Sequence, residues 1–215
     1  MSDHSNRHVE QEIKLSIPGE DDYRRLIGQL PEPHTLLLQS NYFFDTPDRH
    51  LGARKLALRL RMVITADGSE RAFLAIKGPA TQENGVTVRF EQESPIDLSS
   101  AVAIIRSKSM TKAQLGEHGK VLTEIPTETF GMIAFFTNRR IASTVEIGGE
   151  QILFEVDATT YADKSTDYEL EVELNDSQRR KKDFYELIQS QLRAWEIATT
   201  PQQLSKFERA LARKA

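Results

Sequence analysis

Residues 9–17 alternate between apolar and ionised side chains along one predicted strand, and this pattern strongly constrains the fold. Glu10, Glu12 and Lys14 share one face of the strand, whereas the apolar residues lie mostly on the other face. Two neighbouring carboxylates repel each other, and a nearby cation removes that repulsion. The charged face therefore suits a divalent metal ion beside a phosphate chain. Taken alone, the motif is more typical of the solvated face of an edge strand.

Four further predicted strands show the same division into an apolar face and a charged face. Any one of these faces is more often a solvent-exposed surface, but an exposed surface does not explain why the pattern recurs on five strands. The additional charged sets are Arg59 and Arg61; Arg89, Glu91 and Glu93; Glu155 and Asp157; and Glu169, Glu171 and Glu173.

The number of strands indicates how these charged faces come together. About seven to nine short strands, separated by turn residues, predict an antiparallel sheet or barrel. A closed barrel of eight strands would turn one face inward and could hold one small ligand. Unpaired charge inside it would be costly, so a lumen of carboxylates and guanidinium groups needs a ligand that bridges both signs. A metal-bound polyphosphate does so.

The rest of the chain predicts helices outside the strands. A helix is expected after Pro18-Gly19, and two C-terminal helices are expected at about 177–213, the second of them over residues 202–211. Residues 1–7 are expected to form a flexible tail, and residues 8–215 a single α+β domain. A loop is expected at 79–85, and residues 94–130 give no clear prediction.

Composition excludes several classes of function. The 215 residues carry a net charge of −4, which does not indicate nucleic-acid binding. The absence of cysteine excludes disulfides, thiolate zinc sites and thiol nucleophiles. The polar N-terminus resembles no signal peptide, and no apolar run approaches the roughly 18 residues of a membrane span. We therefore expect a cytoplasmic protein that is a monomer or a homodimer, with no membrane partner.

A series of short motifs, in order along nearly the whole chain, resembles the CYTH or triphosphate tunnel metalloenzyme superfamily. This superfamily includes inorganic triphosphatases, thiamine triphosphatases and class IV adenylyl cyclases. The matching segments are Glu10-x-Glu12-x-Lys14, residues 42–47, Ala57-Leu58-Arg59-Leu60-Arg61, Lys77, Arg89-x-Glu91, Asn138-Arg139-Arg140, Asp157, Glu169-x-Glu171 and Ser205-Lys206-Phe207. The chain departs from the pattern at Asn138, where some members have lysine.

The resemblance implies an eight-stranded antiparallel barrel that forms a tunnel, with helices packed outside. It also implies roles for individual residues. The implied ligands of Mg²⁺ or Mn²⁺ are Glu10, Glu12, Glu169 and Glu171. The implied phosphate-binding residues are Lys14, Arg59, Arg61, Lys77, Arg89, Arg140 and Lys206, and the implied catalytic residues are Lys206, Asp157 and Glu91.

Two of these assignments involve a choice. Strand alternation allows only one of Arg139 and Arg140 to face inward, and we favour Arg140 because the family's basic residue often directly precedes a bulky residue, here Ile141. Asp157 and Glu91 are alternatives for binding a second metal ion or the attacking water.

The expected activity is metal-dependent hydrolysis of a small-molecule triphosphate. Inorganic tripolyphosphate is the preferred substrate, because nothing in the sequence offers an obvious pocket for a base. A class IV-type adenylyl cyclase, which would make cyclic AMP and pyrophosphate from ATP, is the first alternative. A non-catalytic module that binds polyphosphate or a nucleotide is the second.

Overall fold

The computed structural model describes the backbone of residues 6–83, 85–175 and 184–213. Ten strands lie in this part of the chain: β1 (Asn6–Ile17), β2 (Thr35–Asp45), β3 (Ala57–Thr65), β4 (Glu70–Glu83), β5 (Val86–Ile96), β6 (Ser109–Thr111), β7 (Thr129–Ile147), β8 (Glu150–Tyr161), β9 (Thr166–Glu173) and β10 (Thr200–Pro201). The described α-helices are α1 (Glu20–Gln29), α2 (His50–Ala53), α3 (Leu98–Ser107), α4 (Phe184–Ala194) and α5 (Lys206–Ala212), and a 3₁₀ helix spans Lys112–Leu122. The predicted helix start near residue 177 lies outside the described residues.

Eight of the strands form a closed antiparallel barrel. Their order is β1-β5-β4-β3-β2-β7-β8-β9, and β9 pairs back with β1. The short strands β6 and β10 lie outside the closed barrel and pair with β7 and β1. The predicted eight-stranded antiparallel barrel with helices outside is confirmed, with two additional strands.

The apolar core lies outside the barrel, between the strands and the helices. One buried cluster joins β1, β7, β8 and β9 to α1 and α4, for example through Leu26 and Ile188. A second joins β3 and β4 to α3 and the 3₁₀ helix, for example through Ile104 and Leu115. Because alternate side chains point to opposite faces, burying the apolar faces outward turns the charged faces inward. Residues 94–130, which gave no clear prediction, contribute much of this outer cover.

Strand β4 corrects the prediction of a loop at 79–85, because the strand continues to Glu83. A register shift between Lys77 and Ala80 takes Gly78 and Pro79 out of the regular ladder. Proline cannot donate a ladder hydrogen bond, so a bulge is one of the few places where a strand accepts it. Both Lys77 and Ala80 then line the barrel interior.

The two ends of the chain also differ in detail from the prediction. Strand β1 begins at Asn6, two residues earlier than expected, because residues 6 and 7 pair with Glu93 and Gln92 of β5. The last helix was predicted from residue 202, but residues 200–201 pair with β1, and α5 begins at Lys206. This pairing brings α5 to one end of the barrel, where Phe207 stacks on Phe43 with ring centroids 4.3 Å apart.

Candidate active site

The inside of the barrel is a cavity of about 660 Å³ with a charged wall. Every side chain that the sequence assigned to phosphate binding lines this cavity. They are Lys14, Arg59, Arg61, Lys77, Arg89, Arg140 and Lys206. The alternation of the strands places six of these cations, and Lys206 enters from the first turn of α5.

The predicted acidic residues occupy two depths. Glu10, Glu91 and Glu171 line the cavity, whereas Glu12, Asp157 and Glu169 are buried directly behind its lining cations, with 2%, 0% and 1% of their surface exposed. Four further carboxylates line the cavity although no site was assigned to them: Glu93, Glu155, Glu173 and Glu208. The sequence did place the first three on the same charged faces, so strand alternation could have identified them.

One network of ion pairs joins β1, β3, β4 and β5. Lys77 Nζ lies 3.1 Å from Glu10 and 2.9 Å from Glu91, and Arg59 lies 2.9 Å from Glu91. Burial alone would raise the pKa of Glu10, but the charges of Lys77 and Arg89 outweigh it and hold that pKa well below its usual range. Glu10 is therefore ionised and already neutralised by two cations.

A second network joins β7, β8, β9 and α5 around Glu171. Its carboxylate lies 2.8 Å from Lys206 and 3.4 Å from Lys14, and it also accepts a hydrogen bond from Arg140. Burial would raise the pKa of Glu171, but Lys206, Lys14 and Arg140 lower it well below the ordinary value. Asp157 lies 2.9 Å from Lys206 and belongs to the same network.

The Glu12 carboxylate connects the two networks, since it lies 2.9 Å from Lys14 and 3.2 Å from Arg89. Burial raises its pKa; Lys14 opposes this in part, while the negative charges of Glu171 and Glu10 raise it further. Additional positive charge at this point would stabilise the ionised form.

Glu155 is a lining carboxyl whose pKa lies above the ordinary value. Burial raises its pKa to about 7, because the charge of Arg140 only partly offsets the loss of water and the repulsion from Glu171. Glu155 is therefore partly protonated near pH 7.

The neighbouring residues Arg139 and Arg140 point to opposite sides of β7. Arg140 lines the cavity, and its Nε and Nη2 atoms donate to Asp157 over 2.8 and 2.7 Å. Arg139 is on the outside and donates to the hydroxyl of Tyr23 over 3.0 Å. The structure thus places inside the barrel the arginine that the sequence analysis favoured.

Asp45 orders the segment that forms one rim of the cavity. It is 2% exposed and accepts backbone hydrogen bonds from Thr46, Leu51 and Gly52 over 2.7, 2.9 and 3.0 Å. These bonds fix the turn after β2, so that Gly52 and Leu56 line the cavity. The Asp-Thr-Pro segment matched by the resemblance therefore acts here through loop geometry, as Asp does in many turns.

Helix α5 carries a residue that the sequence analysis missed. The capping box of Ser205 and Glu208 starts the helix, which places Lys206 in its first turn and Arg209 one turn later. Arg209 is 6% exposed and donates to Glu169 and to the hydroxyl of Tyr161, both over 2.8 Å. The two oxygens of Glu169 are therefore held by two cations of one helix. Only the fold brings Arg209 to β9, so no local pattern identifies it.

Replacing Arg209 by glutamine is expected to lower kcat, because the helix that presents Lys206 loses its fixed position. Misplacing a reacting group by about 1 Å can cost up to roughly 100-fold in rate. The measurement is kcat for tripolyphosphate, the substrate that the sequence analysis expects. Arg209→Lys is expected to recover part of the rate. Arg213→Gln is the matched control, since Arg213 lies one turn further and pairs with Asp167. Equal losses in the glutamine variants would contradict the role of Arg209.

Comparison with protein families identifies this arrangement. The CYTH domain profile matches residues 8–201. The chain belongs to the CYTH domain family. Among curated protein sequences, none is significantly similar to this CYTH domain.

Several solved structures have the same fold. HpAC1 of Hippeastrum, an adenylyl cyclase candidate with a dominant triphosphatase activity, is 27% identical, with a TM-score of 0.76 over 92% of this chain and 93% of its own. A candidate adenylate cyclase of Bacillus halodurans is 22% identical, with a TM-score of 0.67 over 94% of this chain and 97% of its own. PH1819 of Pyrococcus horikoshii OT3 is 18% identical, with a TM-score of 0.62 over 94% of this chain and 98% of its own. The last two comparisons show the fold alone.

Proteins of the CYTH family generally depend on divalent metal ions. Among the described residues, no three acidic or histidine side chains form a ready metal site. The carboxylate groups in and behind the cavity wall nevertheless suit a divalent metal ion. Lys206 Nζ lies 2.9 Å from Asp157 and 2.8 Å from Glu171, so carboxylate oxygens of β8 and β9 already converge on one cationic centre. Carboxylate oxygens are preferred ligands of Mg²⁺ and Mn²⁺.

In the part of the chain that the structure describes, every helix is too short or too polar to span a bilayer.

Proposed function

We propose that this CYTH domain is a divalent-metal-dependent triphosphatase that hydrolyses a terminal phosphoanhydride bond. The observation that carries the proposal is the lining of one cavity by eight cationic side chains, the seven assigned ones and Lys55, interleaved with carboxylates. Cations alone would suit any anion. The carboxylates add a way to hold the metal ions that accompany a triphosphate. The similarity to HpAC1, which has a dominant triphosphatase activity, supports the same assignment.

The cations would bind the phosphate chain and stabilise the charge that develops on the leaving phosphate. Phosphoryl transfer depends on positioning and electrostatic stabilisation more than on covalent help. Arg59, Arg61 and Arg89 can each present a planar guanidinium group to phosphate oxygens. Lys206 would add an ammonium group from α5. Binding requires these cations to exchange some carboxylate contacts for phosphate contacts.

The proposed metal ligands are Glu10, Glu12, Glu169 and Glu171. Glu10 and Glu171 line the cavity, whereas Glu12 and Glu169 would reach a metal only by exchanging their contacts with Lys14 and Lys206. When bound, the metal would neutralise phosphate charge and polarise the scissile bond. Acidic and basic side chains are nearly balanced inside the barrel, so a triphosphate without cations would leave the lumen strongly negative. This balance favours entry of the substrate as a metal complex.

Of the two candidates for positioning the attacking water, Glu91 is better placed. Glu91 lines the cavity, whereas Asp157 is 0% exposed and both its oxygens accept hydrogen bonds from Arg140. We assign Glu91 to the water and Asp157 to positioning Arg140 and Lys206. With inorganic tripolyphosphate, attack by one water would release one pyrophosphate and one orthophosphate.

The test is to incubate the protein with tripolyphosphate, ATP or thiamine triphosphate, with Mg²⁺ or Mn²⁺, and to measure orthophosphate, pyrophosphate and cyclic AMP. We expect orthophosphate release, abolished when EDTA removes the metal. Cyclic AMP as the main product from ATP would instead establish an adenylyl cyclase, the alternative suggested by the similarity to HpAC1. Tight binding of tripolyphosphate with no turnover would indicate a binding module.

A further inference from the structure

Lys55 is the lining cation whose charge has no partner among the described residues. It is exposed and lines the cavity, and its ammonium group forms no ion pair or hydrogen bond with any residue that the structure describes. Each of the seven assigned cations, by contrast, contacts at least one carboxylate. Those cations must exchange a carboxylate contact for a phosphate contact, whereas Lys55 can bind an anion directly.

The backbone holds Lys55 in a conformation that lysine rarely adopts. Its φ is 56°, in the left-handed region that favours glycine and is strained for a residue with a Cβ atom. Two backbone hydrogen bonds fix the turn: the amide of Lys55 donates to Gly52 over 3.0 Å, and the amide of Leu56 donates to Leu51 over 2.9 Å. Residues held in strained conformations cluster at ligand sites, which indicates a use for this side chain.

Lys55 lies at the end of the barrel that α5 borders. We call its surroundings in the cavity wall the outer rim, which consists of Lys55, Gln82, Gln202, Gln203, Ser205 and Glu208. Glu208 is the carboxylate of this rim, and its Oε2 atom accepts hydrogen bonds from the amide and the hydroxyl of Ser205, both over 2.8 Å. The capping box therefore engages Glu208, so Lys55 and the glutamine amides are the groups that the rim offers to an anion.

Small side chains line the wall between the outer rim and the assigned cations. Ala57 lies between Lys55 and Arg59 at the start of β3, and Ala80 pairs with Arg89 where β4 continues toward the rim. Both alanines line the cavity. Because Lys55 precedes Arg59 by four residues, their Cα atoms lie at most about 14 Å apart. On this side of the cavity, an extended anionic chain can contact both residues without displacing a large side chain.

We propose that Lys55 binds a fourth phosphate group, so that the protein accepts linear inorganic polyphosphates longer than tripolyphosphate. The inference rests on the proposed triphosphate site, because three phosphates would contact the seven assigned cations and the next phosphate would reach the outer rim. Each added phosphate brings negative charge, which suits an ammonium group that has no carboxylate partner. Lys55 is therefore a residue that determines specificity for chain length.

The experiment compares wild-type protein with Lys55→Gln on two substrates, tripolyphosphate and linear tetrapolyphosphate, each with Mg²⁺. We expect the variant to lower kcat/KM for tetrapolyphosphate about fivefold, as the loss of one exposed ion pair would. The value for tripolyphosphate should stay within about twofold. Lys55→Arg should keep the wild-type ratio of the two values, because it keeps the charge. Lys164→Gln is the matched control, since Lys164 also has a left-handed backbone, with φ 72°, but does not line the cavity.

Two kinetic outcomes would overturn the proposal. An equal loss with both substrates would show that Lys55 acts on the first three phosphates, and no loss with either would show that it contacts no part of the chain. Calorimetric titration with each Mg²⁺-polyphosphate separates this inference from the proposed hydrolysis. If the protein hydrolyses neither substrate but Lys55→Gln binds only tetrapolyphosphate about fivefold more weakly, the hydrolase assignment fails and the role of Lys55 stands. If tetrapolyphosphate does not bind to the wild-type protein, the role of Lys55 fails as well.

Discussion

Replacing Arg140 by methionine is expected to lower the free energy of unfolding by about 3–5 kcal/mol at pH 7.5. Arg140 is 9% exposed and donates hydrogen bonds to Asp157, Glu155 and Glu171. Methionine fills most of the space but leaves three buried carboxylates without this cation. Urea denaturation, followed by circular dichroism, measures the change.

The loss of stability should depend on pH. Burial alone would raise the pKa of Asp157, but the charges of Arg140 and Lys206 lower it. A lowered carboxyl pKa stabilises the fold above the unfolded value of about 3.9, and this stabilisation disappears as the pH falls through the folded value. Without Arg140 the carboxyls bind protons at higher pH. The deficit of the variant should therefore be largest near neutral pH and shrink toward about pH 4.

Arg139→Met is the matched control, because it makes the same change at the next residue of the same strand. Arg139 is exposed on the outside of the barrel and donates one hydrogen bond to Tyr23. Its loss should cost no more than about 1 kcal/mol. Similar losses in the two variants would show that the Arg140 ion pairs contribute no special stability.

The sequence predicted the lumen well because strand alternation is a local property. Arg59 and Arg61 must share a face whatever the rest of the fold does, and the same holds for Glu169 and Glu171. Apolar residues on the opposite face then determine which side is buried against helices. Closing the barrel turns every such charged face toward one cavity, so a correct strand pattern was sufficient to identify most of its wall.

Strand alternation could not predict which carboxylates line the cavity and which are buried behind its lining. Glu169 and Glu171 look equivalent in the sequence, yet only Glu171 lines the cavity, because Lys206 and Arg209 of α5 cover Glu169. That contact joins residues about 40 positions apart and depends on how β10 places the last helix.

Replacing Glu171 by glutamine is expected to reduce kcat at least about 100-fold while the protein stays folded. The carboxylate of Glu171 contacts Lys206, Lys14 and Arg140, and it is one of the proposed metal ligands. Glutamine retains the shape but removes the charge that neutralises these three cations. The measurement is orthophosphate release at saturating substrate, with circular dichroism as the check on folding.

Glu146→Gln is the control for Glu171→Gln, since Glu146 is exposed and does not line the cavity. A full rate in Glu171→Gln would contradict both of its proposed roles. Titration with Mg²⁺ distinguishes them. If Glu171 binds the metal, the concentration giving half-maximal rate should rise about tenfold or more, and excess Mg²⁺ should restore part of the activity. If Glu171 only holds Lys14, Arg140 and Lys206 in place for phosphate, that concentration should stay constant while kcat falls.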